Sequence, residues 1–167
     1  MSNIRFRPAT VDDARGINAV YNPFIRESTV TFETVEHTAD QRKNWLVERE
    51  GDPRYPVIVA EDEDAQICGF SSASPFDQRA GYATSVKTSI FVDPGSHGKK
   101  IGRGLYATLF QALESTDLHR AYGLVAAPNP ASAALHQQFG FVHISTLNQV
   151  GRKFGRFIDV MWFEKRL

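Results

Sequence analysis

Ser89-Ile90-Phe91-Val92-Asp93-Pro94-Gly95-Ser96-His97-Gly98-Lys99-Lys100-Ile101-Gly102-Arg103-Gly104-Leu105-Tyr106 decides how this chain folds. It reads as an apolar β-strand, a short basic loop rich in glycine, and the first turns of an amphipathic helix. A loop of this kind aims several backbone N–H groups and the positive end of a helix at one point, which suits a phosphate or pyrophosphate. The spacing is neither the G-x-x-x-x-G-K-[ST] of a P-loop nor the G-x-G-x-x-G of a Rossmann dinucleotide site. Taken alone, the segment fits a plain strand-to-helix turn with solvated lysines equally well.

A second segment changes the balance. Ala126-Ala127-Pro128-Asn129-Pro130-Ala131-Ser132-Ala133-Ala134-Leu135-His136-Gln137-Gln138-Phe139-Gly140-Phe141 follows another apolar strand. Together the two segments resemble the acetyl-CoA-binding core of the GNAT family of N-acetyltransferases. One family pattern, N-x-x-[AS]-x-x-[LF]-[YH]-x-x-x-G-F, matches from Asn129 to Phe141. The loop pattern, [QR]-x-x-G-x-[GA], matches incompletely. Further stretches are similar to the phosphinothricin acetyltransferase subfamily: Tyr21 to Ile25, Ser28 to Phe32, Phe76 to Tyr82, and Gln149 to Val160. The likeness covers nearly the whole chain. It implies an acetyl-CoA-dependent enzyme acting on the primary amine of a small amino-acid-like acceptor, of phosphinothricin or methionine sulfoximine type. It also implies a homodimer formed through C-terminal strands.

Composition agrees with a small-molecule enzyme. The chain has 167 residues, enough for one domain spanning residues 1–167 with a full core. Nineteen basic residues balance nineteen acidic ones, so no global field draws the protein to nucleic acid or an anionic membrane. The lone Cys68 cannot form an internal disulfide and reads as a small core residue. No apolar run reaches membrane-spanning length, and no apolar leader opens the chain, so a cytoplasmic protein is expected. The histidines at 37, 97, 119, 136 and 143 lack ligand spacing, and no metal is expected.

Alternation and turn signals give the order β-α-α-β-β-β-α-β-α-β-β. The strands are expected near Ile4–Phe6, Pro56–Glu61, Ile67–Ser74, Tyr82–Val92, Ala121–Ala127, Phe141–Val150 and Phe157–Glu164. The last two form a hairpin around Gly151 to Gly155. The fold class is α+β, an α/β sandwich: a mixed, mainly antiparallel sheet of about seven strands flanked by about four helices.

The resemblance also distributes roles. Backbone groups of Ile90, Phe91 and Val92 hold the pantetheine and polarise the acyl carbonyl, and a bulge would splay that strand from its neighbour. His97, Gly98, Lys99, Lys100, Ile101, Gly102, Arg103 and Gly104 receive the pyrophosphate. Asn129 and Ser132 contact the cofactor arm, and Asn129 also suits a helix N-cap before Pro130. His136 stands where the family protonates the leaving thiolate, although a histidine on an apolar helix is usually a packed core residue. Phe32, Phe76, Arg79 and Tyr82 form the acceptor pocket, with Arg79 suited to a carboxylate. Phe154 and Arg156 lie at a hairpin tip near a dimer-related site.

Three positions depart from the family. Lys87 replaces the glutamate proposed as general base, which leaves water, Glu33 or Asp77 to take the amine proton, or Lys87 itself to hold an anionic acceptor group. His97 replaces the loop's [QR]. Lys100 replaces its first glycine, where φ above zero is expected and a side chain costs energy. Besides an acetyltransferase of phosphinothricin type, two readings stay open: one with a different acceptor paired to Lys87, and a catalytically weak acyl-CoA-binding or sensing domain.

Overall fold

The structure is a computed structural model that describes residues 4–96 and 100–167. Its elements are β1 (Arg5–Pro8), α1 (Ala14–Glu27), α2 (Ala39–Val47), β2 (Val57–Glu61), β3 (Ile67–Pro75), β4 (Ser85–Val92), α3 (Ile101–Leu113), β5 (Arg120–Ala126), α4 (Pro130–Gln138), β6 (Val142–Lys153) and β7 (Arg156–Arg166). The strands form one seven-stranded sheet in the order β1-β2-β3-β4-β5-β7-β6. Every pairing is antiparallel except β4 with β5. The expected fold class and element order are therefore found.

Strand alternation divides the core into two layers. On one face Ile58, Ala60, Ala73 and Val86 pack under α3 through Ile101, Leu105, Tyr106 and Leu109, with Phe141 and Phe163. On the other, Val57, Val59 and Phe70 pack under α1 through Ala14, Ile17, Val20, Tyr21 and Ile25, with Leu46 of α2. Cys68 is buried, as expected. Helix starts follow local chemistry. The Thr38 hydroxyl accepts from the Gln41 N–H and the Gln41 side chain returns to the Thr38 N–H, a capping box that opens α2.

Three expectations need correction. β4 begins at Ser85 rather than Tyr82, because Ala80–Tyr82 is a 3-10 turn closed by Tyr82 N–H to Arg79 O and Ala83 N–H to Ala80 O. Strand pairing in the C-terminal hairpin runs on to Lys153 opposite Arg156, so only Phe154 and Gly155 form the turn. Both have positive φ, 51° and 72°, matching the twist of a two-residue hairpin. Third, β4 carries no register shift against β3 from Val86 to Val92. The strand opens away from β5 without a bulge.

That opening positions the site. β4 and β5 pair only from Ser85 opposite Arg120 to Thr88 opposite Gly123. Beyond this, β4 stays on β3 to Val92, while β5 stays on β7 to Ala126. Ser89–Val92 and Leu124–Ala126 thus diverge, leaving a V in the middle of the sheet.

Candidate active site

A cleft of about 770 Å³ fills the V. Ser89, Ile90, Phe91 and Val92 form one wall and Leu124, Val125 and Ala126 the other. The first turn of α3 and the inner face of α4 close one end, through Lys100, Ile101, Gly102, Arg103, Asn129, Ser132 and His136. Phe24 and Val30 close the other. The cleft passes through the sheet from the α3/α4 face to the α1 face.

The α3 end has the groups an anion needs. No side chain caps this helix, so its first-turn N–H groups have no intrahelical acceptor and carry the positive end of the dipole. Lys100 sits at the N-cap with φ 57° and ψ 21°. The left-handed backbone expected of the family glycine is therefore present, and lysine adopts it at some cost. Gly104 lies one turn on, its N–H bonded to Lys100 O. His97, Gly98 and Lys99 lie outside the described residues.

At the α4 end, the Asn129 side chain accepts from Ser132 N–H at 3.1 Å, and Pro130 occupies the first helical position. Asn129 is thus an N-cap that also faces the cleft. His136 is buried. Its Nδ1 lies 2.8 Å from Ser132 O, a group that can only accept, so Nδ1 carries the hydrogen. Nε2 then accepts from the Tyr106 hydroxyl at 3.0 Å. Burial lowers the imidazole pKa from its usual 6.5, opposed by the Ser132 carbonyl. Burial raises the Tyr106 phenol. His136 is a neutral, satisfied histidine bound to a neutral phenol, and both line the cleft. Gly123 makes room for it, because a Cβ there would stand 2.3 Å from Nε2.

On the α1 face, Lys87 lies opposite Ser74 on β3 and beside Tyr122 on β5, between the buried Val86 and Thr88 that point the other way. Phe76 and Tyr82 are in contact, with ring centroids 5.3 Å apart. Phe76 also meets Tyr122 at 4.9 Å and Trp162 at 6.2 Å. Arg79 is exposed, stacks over Tyr82 at 5.1 Å, and donates to Asp77 at 2.8 Å. That bond, the Arg79 N–H and the charge on Lys87 hold the Asp77 carboxyl below its usual range.

Phe32 and Glu33 belong to a different wall, the segment 28–38. Phe32 lies against Gly151 of β6, and among the described residues no ring contact joins it to Phe76 or Tyr82. Glu33 is half-exposed and hydrogen-bonded to His37. Tyr122 and Trp162 complete the Phe76 wall, and Tyr106 belongs to the α3/α4 end; sequence reasoning singled out none of the three. Among the described residues no group of histidine, cysteine or acidic side chains could hold a metal. No described helix is long and apolar enough to cross a membrane.

A cleft through a split sheet, with an uncapped helix start at one end and Phe24 and Val30 at the other, leaves room for an extended ligand. The acetyltransferase (GNAT) domain family matches residues 6–162. The phosphinothricin N-acetyltransferase of Streptomyces coelicolor is 44% identical over 99% of this chain and 98% of its own. The solved ribosomal-protein-alanine N-acetyltransferase of Brucella melitensis superposes with a TM-score of 0.92 at 34% identity, covering 98% and 99% of the two chains. A Sinorhizobium meliloti phosphinothricin acetyltransferase in complex with acetyl-CoA gives 0.91 at 27% identity, over 98% of this chain and 88% of that one. The protein is an acyltransferase. It belongs to the GNAT acetyltransferases, in their phosphinothricin acetyltransferase-like branch.

Proposed function

We propose that this chain, as a single domain, moves an acetyl group from acetyl-CoA to the primary amine of a small amino-acid-like acceptor. The observation that carries the reading is the cleft opened by β4 and β5, with the uncapped α3 start at its mouth. In this reading the pyrophosphate rests on the loop 97–104. The pantetheine runs between β4 and α4, along Ile90, Phe91 and Val92 and past Asn129 and Ser132. A β4 N–H freed by the splay faces the acyl oxygen and stabilises the oxyanion. The related phosphinothricin acetyltransferase complex with acetyl-CoA supports this donor.

The acceptor enters from the α1 face, between the 28–38 segment with Phe32 and the Phe76–Tyr82 wall with Arg79. Its nitrogen attacks the acetyl carbonyl, the C–N bond forms and the C–S bond breaks. One proton leaves nitrogen and one reaches the thiolate, so none is consumed overall. A peptide α-amino group has a pKa of about 7.7–8.0, and a carboxylate on the same carbon raises it further, so the acceptor arrives mostly as the ammonium and both proton removal and orientation contribute to the rate. Asp77 is a poor base because Arg79 holds it acidic. The Glu33–His37 pair, or water beside it, takes the proton. With its Nε2 accepting from the Tyr106 hydroxyl, His136 has no proton to give on that side, so water in the cleft carries the proton to the thiolate.

Lys87 favours an acceptor that carries a second acidic group. It stands on the central strand in the same face as Tyr122, and its charge reaches Asp77. The exposed apolar side chains of β6 and the hairpin, Val142, Ile144, Leu147, Val150, Phe154 and Phe157, support a homodimer joined there. A cytoplasmic location accords with an acetyl-CoA-dependent enzyme.

Titration calorimetry with acetyl-CoA is the deciding test, followed by thiol release with phosphinothricin and methionine sulfoximine. Micromolar binding with turnover is expected. Absence of binding at millimolar cofactor overturns the reading. Lys87→Glu separates the roles of that residue. A rise in phosphinothricin KM of about tenfold or more supports anion binding, whereas a gain in turnover assigns the position to a lost base.

A further inference from the structure

Segment 28–38 forms neither helix nor strand, yet it is tied down from several directions. Tyr21 Oη and Thr31 Oγ1 share a hydrogen bond of 2.8 Å. The Asn18 and Asn22 amides both donate to His37 O, at 2.9 and 3.0 Å. These ties come from α1, its neighbour in the chain. Another arrives from the opposite end of the sequence. Lys153, at the end of β6, is 4% exposed, and its Nζ donates to Thr31 O at 2.8 Å and Phe24 O at 3.3 Å.

The arrangement is costly for an ammonium. Among the described residues no carboxylate lies within ion-pair distance of Lys153, and burial lowers its pKa, with Glu33 opposing from farther off. Two carbonyls and the negative C-terminal end of α1 compensate in part. An apolar side chain of the same volume fills such a space without desolvating a charge. What the ammonium adds is direction. The Thr31 oxygen belongs to the rigid peptide plane that leads into Phe32, so holding that oxygen fixes the plane from which Phe32 departs. The same hairpin also supports the ring, since a Cβ at Gly151 would lie 2.3 Å from it. Phe24 and Val30, on either side of the grip, line the cleft.

We propose that Lys153 is a positioning residue for the acceptor: it pins segment 28–38 to the end of α1 and the C-terminal hairpin, and so sets where Phe32 and Glu33 meet the amine substrate. This rests on the acceptor reading given above. The cofactor end of the cleft, held by α3 and α4, is independent of it.

The test is Lys153→Met in the full chain, with phosphinothricin as acceptor. Phosphinothricin KM is expected to rise about tenfold or more, with kcat changed less than about threefold and acetyl-CoA affinity less than about twofold. Amide hydrogen exchange at 31–33 speeds up while α1 stays protected. Gly151→Ala, which displaces Phe32 but leaves the Lys153 bonds in place, is expected to give the same KM split through Phe32 alone. Lys153→Gln, which removes the charge but keeps an N–H donor, serves where Lys153→Met does not fold, with the acceptor KM again rising and cofactor affinity held. An unchanged acceptor KM overturns the proposal, as does a parallel fall of kcat, acceptor affinity and cofactor affinity. Where the unaltered enzyme acetylates no phosphinothricin, the acceptor reading fails first. Exchange at 31–33 unaltered by Lys153→Met then overturns the clamp separately.

Discussion

The two ends of the cleft are built differently. The end proposed for the cofactor consists of one strand, two helix starts and the buried pair Tyr106–His136, all within residues 85–141. The end proposed for the acceptor draws on segment 28–38, the loop around Phe76 to Tyr82, Lys87, and the hairpin of β6 and β7. Its ties are side-chain bonds, some local and one, from Lys153, reaching across the chain, and several of its groups are exposed. A ligand shared by a whole family can be met by rigid, local structure, while the partner that varies is met by parts that can change separately.

The sharpest way to break this contrast is Gly123→Ala. Its Cβ collides with His136 Nε2 in a packed layer, and the loss is expected at about 2–3 kcal/mol of stability, read by urea unfolding. Acetyl-CoA affinity is expected to fall with it. Cofactor affinity left intact shows that the Tyr106–His136 pair does not shape the cofactor end.

Asn129→Ala is expected to cost about 1 kcal/mol, the worth of an N-cap, and to weaken acetyl-CoA binding while acceptor KM holds steady. Equal effects on both ligands erase the division between the ends.

A pH titration sharpens the comparison further. His136 has a folded pKa below its ordinary 6.5 because it is buried. The unfolded chain therefore binds its proton more readily, and stability rises with pH over this range. The contribution is complete above about pH 6.5 and is lost as pH falls through the lower folded value. The Asp13 carboxyl acts in a more acid window. Burial opposes its ionised form, but bonds from Arg7 and Thr10 hold its pKa below the usual 3.8. His136→Phe is expected to flatten the melting temperature between pH 5 and 6.5. A slope unchanged by that substitution assigns the dependence to other groups.

The smallest effect on stability is expected for Arg79→Ala, since the Arg79–Asp77 pair is solvated and such pairs contribute little. The melting temperature should stay constant while phosphinothricin KM rises. An unchanged KM removes Arg79 from the acceptor side.

Much of this was legible beforehand, for local reasons. The strand–loop–helix run from Ser89 and the Asn129-Pro130 helix start carry their own geometry in their residue types. The left-handed backbone at Lys100 was expected from the glycine it replaces, and the cap at Asn129 from the proline after it. The bulge in β4 was not found, because the opening arises where β4 follows β3 and β5 follows β7. No single strand encodes that divergence. The bond of Tyr106 to His136 exists only once α3 and α4 meet on the sheet. Lys153 had no distinguishing spacing, since its partners are backbone carbonyls of Phe24 and Thr31.

The sequence by itself determined the order of elements, because periodicity, capping and turn chemistry act between near neighbours, and its motifs carried the resemblance to the family that the whole chain matches. Tertiary structure alone decided the opening of the sheet, the neutral Tyr106–His136 pair, the aromatic wall of Phe76, Tyr82, Tyr122 and Trp162, and the grip of Lys153 on segment 28–38. Each of these depends on burial and on contacts between groups far apart in the chain, which become fixed only when the whole sheet is assembled.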